Sequence, residues 1–387
     1  MLLNNDNVDL ILLMSHPLTD ISIDIDMSQE NIDKLFKNDR ISEIQYLECT
    51  TNACLDYILM LSNIQSICLY NCTNLTTVPF LPNIIELVLS DCNSLYNISY
   101  LPKLKSMGLY NCKTITSIPS FNNLTAFNCT GCVNLTHLPF LPSLNWLNCS
   151  KCSVLSEIPA IQTLQTLICS DCPITNVPLI YNLNELHCNN CVNLVSIPML
   201  PNLHSLICTE CSSLRYIPLL PRLRKLQCKC CVRLKSLPLI RTLNILNCDQ
   251  CILLKQIPSL NNLTGLSCSG CVNLIRISGA INKLDCLICS GCCKLRKIPI
   301  STKLSTLEYD GCEMLDLATI PIKFNNTINI DTLKRSIKYN PLNINDIFSN
   351  KHIKQSDILN FITNNIKYLK YAKDNICDRL ITIIEHS

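Results

Sequence analysis

Apolar residues return along most of this chain at one fixed spacing. A clear unit starts at Leu144, with Leu147 three positions on and Cys149 two after that. Cys152, Leu155 and Ile158 follow at intervals of three, and Pro159 closes the run. Related units start at Ile44, Ile64, Ile84, Leu104, Leu124, Leu144, Leu164, Leu183, Leu203, Leu223, Leu243, Leu263, Leu284 and Leu304, a period of about 20 residues. Two units slip. The one from Leu164 is a residue short near Pro173, and the one from Leu263 is a residue long near Gly279. Slips of this kind fit loops on the outside of a solenoid.

The spacing predicts the elements. Leu147 and Cys149 lie two apart, so a short strand turns both to the same side, and the chain leaves the strand at Cys152. Stacked units then place their strands side by side in a parallel sheet about 4.8 Å apart, and the whole run predicts a sheet about 60 Å long. Proline pairs such as Pro198 and Pro201 cannot continue a helix, so the opposite, convex side is expected to be extended segments and turns. No unit can bury its apolar stripe alone, so stability comes from stacking on neighbours.

Both ends need covers. In residues 1–43, Ser28 stands as an N-cap before Ile32, Leu35 and Phe36 at helical spacing. Residues 322–387 carry a longer helical pattern from Ile358 through Ile362, Ile366, Leu369, Ile376 and Leu380, with Ser356 as its cap. The expected organisation is an N-terminal cap region (1–43), a solenoid of 13–14 repeats (44–321) and a C-terminal helical cap (322–387). The last segment has a second reading, as a small helical module that binds a partner.

The first unit reads Ile44-x-x-Leu47-x-Cys49-x-x-Asn52-x-Cys54-Leu55. This resembles the leucine-rich-repeat family, whose core is Leu-x-x-Leu-x-Leu-x-x-Asn/Cys-x-Leu. The short period and the tail Ile197-Pro198, Leu200-Pro201 look like the short bacterial-type repeats. The Asn- and Ile-rich composition is similar to that of repeat proteins from amoebae and their giant viruses. The resemblance covers residues 44–321. It implies an α/β solenoid, a horseshoe with a parallel concave sheet, an extended or turn-built convex side and helical terminal caps.

Twenty-nine cysteines complicate this picture. Nine consecutive units carry Cys-x-x-Cys, from Cys129/Cys132 to Cys289/Cys292, and two such pairs would supply the four thiolates of a zinc site. Substitution among the units argues against a metal. The first position is leucine at Leu69, Leu89 and Leu109 and tyrosine at Tyr309, and the second is Asn52 in the first unit. A metal site does not exchange a ligand for leucine while its frame persists. The family resemblance implies instead that the second position forms an internal ladder satisfying backbone groups. Cys54, Cys230, Cys286, Cys293 and Cys377 lie outside the two ladders, and Cys230 and Cys286 are expected to face outward.

The start, Met1-Leu2-Leu3-Asn4-Asn5-Asp6, has no basic leader, and Asp9 interrupts the first apolar run. No segment reaches the roughly 18 apolar residues of a membrane span. Free thiols in a reducing, cytoplasmic setting are therefore expected, in a host's cytoplasm if the chain is viral. Glycosylation motifs such as those at Asn71 and Asn123 then follow from an Asn-rich composition.

Residues between the strand leucines are expected to face a partner. They include Tyr70, Tyr110, Asn128, Trp146, Asn148, Ile168, Glu185, His187, Ile207, Arg224, Lys225, Gln227, Lys229, Asn247 and Glu308. Trp146, the sole tryptophan, is a candidate anchor, because exposed Trp is enriched at interface hot spots. Its competing role is local packing. Arg222, Arg224, Lys225 and Lys229 form a basic cluster with Arg215, Arg233, Lys235 and Arg241 nearby. It would suit an acidic partner or phosphates, or simply serve as a solvated face, since Glu210 and Asp249 flank it.

Net charge is only +3, from 32 basic and 29 acidic residues, which gives no general pull toward nucleic acid. The chain has seven glycines and no phosphate-binding loop, dinucleotide fingerprint or Gly-x-Ser-x-Gly turn. Its six histidines make no recognisable catalytic arrangement. The expected function is a non-catalytic, monomeric recognition scaffold with a protein partner and no cofactor. One alternative is a substrate adaptor of a ubiquitin ligase, although residues 1–43 lack a Leu-Pro-x-Glu motif. Another is a cysteine-rich metal or redox protein.

Overall fold

The computed structural model describes residues 2–4, 6–13, 18–23, 27–50, 58, 61–279, 281–299 and 301–316. The C-terminal helical cap expected at 322–387, Cys54 and Cys377 lie outside them. The chain divides into two compact units. One holds residues 1–214 with 220–223, and the other holds 215–219 and 224 onward.

The first unit opens with a short helix, α1 (Val8–Leu13), and a second helix, α2 (Gln29–Phe36). Ser28 caps α2 by accepting from the Asn31 N–H, and Ile32, Leu35 and Phe36 are its buried residues. Strands Leu2–Leu3, Asp20–Ile23, Tyr46–Cys49, Ser66–Tyr70, Glu86–Ser90, Ser106–Tyr110, Ala126–Asn128, Trp146–Asn148, Thr166–Ile168, Glu185–His187 and Ser205–Ile207 follow one another in parallel. Parallel pairing thus begins before Ile44, because Leu2–Leu3 pairs with Ser22–Ile23, and Asp20–Ile23 with Tyr46–Cys49.

The second unit repeats the design with strands Lys225–Gln227, Ile245–Asn247, Gly265–Ser267, Cys286–Ile288 and Thr306–Glu308. On the far side of the turns, two-residue strands pair in places, Thr77–Val78 with Asn97–Ile98 and Gln256–Ile257 with Arg276–Ile277. Among the described residues no α-helix lies inside a repeat; only Ile58, in the first, is in a 3-10 turn. The protein is a parallel β-solenoid of about fourteen turns with the leucine-rich-repeat fold. The prolines explain the missing helices, since each removes a donor and fixes an extended backbone.

The period sets the register. Trp146 lies opposite Ala126 and Thr166, and Leu147 opposite Phe127 and Leu167. Leu144, Leu147, Cys149, Cys152 and Leu155 are fully buried, with Ile158 and Ile161 nearly so. Each such leucine or isoleucine contributes about 1.5–3 kcal/mol by burial. The slips fall where the sequence puts them. After Cys172 the buried Ile174 comes two residues on, and between the buried Ile277 and Ile281 the chain passes through Gly279 at φ 79°.

From Ser66–Tyr70 onward, each described turn leaves the strand through one residue in the left-handed region, among them Asn71, Asp91, Asn111, Gly131, Lys151 and Asp171. That conformation points the residue's N–H at the next turn. Gly131 N–H donates to Ser150 O at 2.9 Å, and Lys151 N–H to Ser170 O at 2.8 Å. The backbone polar groups of the bend are thereby paired turn to turn.

Candidate functional site: the open face of the sheet

In every three-residue strand of the first unit the middle residue is buried and its neighbours face outward. The candidate residues Tyr110, Asn128, Trp146, Asn148, Ile168, Glu185, His187 and Ile207 therefore share one open face, as expected from period-2 alternation. Trp146 is half-buried between the small side chains of Ala126 and Thr166. His187 sits between Ile168 and Ile207 in the next row.

The asparagines on this face are partly committed. The Asn128 side-chain oxygen accepts from the Thr130 N–H and hydroxyl at 3.0 and 2.6 Å, and Asn148 does the same for Ser150 at 3.0 and 2.7 Å. In the second unit Asn247 accepts from the Asp249 N–H at 3.1 Å. These residues brace the bend after the strand, so only their amide donors face outward for other uses.

Further toward the N-terminus the face is aromatic and acidic. Tyr46 Oη lies 3.4 Å from Glu48 Oε2, and Ser66 Oγ donates to Glu86 Oε2 at 3.2 Å. Tyr110 lies along its own strand over Gly108, where an added Cβ would come within 2.7 Å of its ring. Burial raises the phenol pKa of Tyr46 and of Tyr70, so both are neutral donors.

In the second unit the basic residues do not share one position. Lys225 and Gln227 face outward from their strand, with Asn247 beside Gln227. Arg224 is exposed just before that strand, and its carbonyl accepts from the N–H groups of Asn244 and Ile245. Lys229 is exposed in the turn after the strand. The outward pair Thr306 and Glu308 lies on the final described strand.

The cysteines point the other way, into the core. In most of the described units the second-position thiol donates to the carbonyl of the first position one turn back. Cys152 Sγ to Cys129 O is 3.1 Å, Cys172 to Cys149 3.0 Å, Cys211 to Cys188 3.0 Å, Cys251 to Cys228 3.1 Å and Cys271 to Cys248 3.0 Å. Where the first position is leucine the ladder persists, as Cys132 donates to Leu109 O at 3.2 Å. The partner is a backbone carbonyl, which explains why the first side chain is free to vary.

Burial, then the neighbouring Cys152 thiol, holds Cys129 well above the ordinary thiol range, and burial pushes Cys132 up to about 12. Such thiols are protonated at neutral pH and offer no thiolate to a metal or an electrophile. Among the described residues no group of three or more His, Cys, Asp or Glu side chains is arranged to hold a metal ion. One expectation fails: Cys49 is disulfide-bonded, while the other described cysteines are free. Cys49 is fully buried, so nothing in its pattern position distinguished it from a ladder thiol. Cys230, Cys286 and Cys293 are the partly exposed thiols among the described residues.

No protein-family model and no curated protein sequence matches this chain. Solved structures of similar fold do. A leucine-rich repeat protein from Bacteroides ovatus is 16% identical over 57% of this chain and 69% of its own length, with a TM-score of 0.40. YopM from Yersinia enterocolitica is 20% identical over 75% of this chain and 58% of its own, with a TM-score of 0.43. YopM from Yersinia pestis, a leucine-rich effector protein, is 20% identical over 68% of this chain and 86% of its own, with a TM-score of 0.33. The likeness is one of fold alone and says nothing of partners. No described helix is long and apolar enough to cross a membrane.

Proposed function

We propose that this chain is a non-catalytic recognition protein that takes a protein partner on the open face of its sheet. The observation that carries this reading is the division of labour along each strand. One residue in two builds the core, and the other varies freely from turn to turn, through Tyr110, Asn128, Trp146, Asn148 and Glu185. A surface whose frame repeats while its outward residues change is suited to recognising one particular partner. The free ladder thiols suit a reducing cytoplasm, against which the Cys49 disulfide is the one exception among the described cysteines, and the chain acts there as a monomer.

Affinity capture with the intact chain, set against Trp146→Ala and against Arg224→Glu/Lys225→Glu, tests the reading. Loss of a captured protein with either variant supports it and assigns the contact to one unit. A partner retained equally by all three proteins overturns it. Ligase components in the captured set would make the chain a substrate adaptor.

A further inference from the structure

We infer that the open sheet face of the first unit receives a cationic segment of the partner, with Arg or Lys side chains seated on Tyr46, Tyr70 and Tyr110 and held by Asp20, Glu48 and Glu86. This deepens the recognition reading above and rests on it. Its basis is a segregation of charge. Basic residues outnumber acidic ones in the chain, 32 to 29. Yet no Lys or Arg occupies an outward strand position anywhere from Asp20 to Ile207, while four acidic residues, Glu185 included, do. The three carboxylates and three phenols crowd into the turns between Asp20 and Tyr110.

The registers place these groups together. Asp20, Tyr46, Ser66 and Glu86 form one row across four strands, and Glu48 and Cys68 lie side by side in the next. Tyr70 and Tyr110 flank Ser90 in a third row, two strand spacings or about 10 Å apart. Neither Glu48 nor Glu86 has a cationic partner among the described residues, since each is met by a hydroxyl instead. Tyr110 reaches back so that one edge of its ring occupies the room that Gly108 leaves, and Tyr70 bonds a Cys68 that is nearly buried although its strand position faces outward. Tyrosine rings attract a guanidinium or ammonium group through their electron-rich faces, and carboxylates beside them supply the charge. A sheet face with this sign and no basic residue at its described outward strand positions also draws a cationic segment in and repels an acidic one.

The test uses fluorescein-labelled Arg-Gly-Ser, Glu-Gly-Ser and Gly-Gly-Ser repeat peptides, titrated with the full chain and followed by fluorescence anisotropy. The expected result is binding of the arginine probe alone, weakened by salt. Glu48→Gln/Glu86→Gln should weaken it about tenfold or more, Tyr70→Leu several-fold, and Arg224→Ala/Lys225→Ala not at all. Circular dichroism confirms that each variant is folded. Equal binding of the three probes, or an unaffected double glutamine variant, overturns the inference. So does sedimentation showing that the chain self-associates through these carboxylates, because the occupant would then be the basic cluster of a second copy. If the arginine probe fails while a captured partner is still lost with Trp146→Ala, this inference falls and the recognition reading stands.

Discussion

The thiol of Cys152 donates to the carbonyl oxygen of Cys129, 3.1 Å away and one turn back, in a fully buried setting. The next residue, Ser153, makes the same kind of bond to Val133 O at 3.1 Å, but on the exposed surface. The serine hydroxyl is the stronger donor of the two, but access to water decides their worth. Cys152→Ala removes a buried donor, leaves the Cys129 carbonyl with the Cys132 N–H as its remaining partner and opens a void, at a cost of about 2 kcal/mol. Ser153→Ala should cost under about 0.5 kcal/mol, because water replaces the lost partner. Urea unfolding of both variants reads the difference directly. Equal costs would mean that the inner ladder does not hold the turns together.

The same ladder makes the fold sensitive to alkali. Burial keeps Cys132 protonated up to about 12, and at Cys228 a hydrogen bond with Cys251, then burial, acts in the same direction. An unfolded thiol ionises near pH 8.5, well below these folded values. The stability they contribute is therefore fully present below about pH 8.5 and is lost as pH rises above it. Each such thiol steepens the decline by about 1.4 kcal/mol per pH unit, and several together should unfold the chain well before pH 11. Urea midpoints measured from neutral to alkaline pH with reductant present should fall progressively. A flat profile would refute the buried, protonated state of these thiols.

Accessibility separates the thiols by position. Brief alkylation of the native chain followed by peptide mapping should modify Cys230, Cys286 and Cys293 first among the described residues. Ladder cysteines such as Cys149 and Cys211 should react only after denaturation, being fully buried. Early modification of Cys149 in folded protein would contradict the assigned register.

Much of this was legible in the spacing of side chains. A residue such as Leu147 recurs because the core requires it, so the strands, the inward thiols and the slips at Pro173 and Gly279 all leave a periodic trace. What left no trace depends on one pairing only. Strand Leu2–Leu3 is two residues long and exists through its bonds to Ser22–Ile23. The asparagines outside the core are more instructive. Asn83, Asn123, Asn202 and Asn262 donate their side-chain amides to Ser62 O, Pro102 O, Tyr181 O and Arg241 O, one turn back, at 2.8–3.0 Å. An Asn-rich composition thus conceals an outer polar ladder. Alternation gives the outward direction of Asn128 and Asn148 but not their occupancy, so their bracing role emerged only from geometry.

The left-handed residue before each second cysteine offers a last test. Lys151 is held at φ 61°, whereas Gly131 fills the equivalent place one turn earlier at φ 78°. A side chain with a Cβ pays about 1 kcal/mol for that conformation, which glycine adopts freely. Lys151→Gly should therefore stabilise the chain by about 0.5 kcal/mol, after the greater freedom of glycine in the unfolded state is subtracted. Gly131→Ala should act in the opposite sense and more strongly, by about 1–2 kcal/mol, because its new Cβ would also run into the Asn111 side chain. Asn111→Ala combined with Gly131→Ala removes the collision but not the backbone strain, so it should recover only part of the loss. Thermal melting of the three variants gives the order, and a Gly131→Ala protein as stable as the parent would show that the turn does not need its left-handed residue.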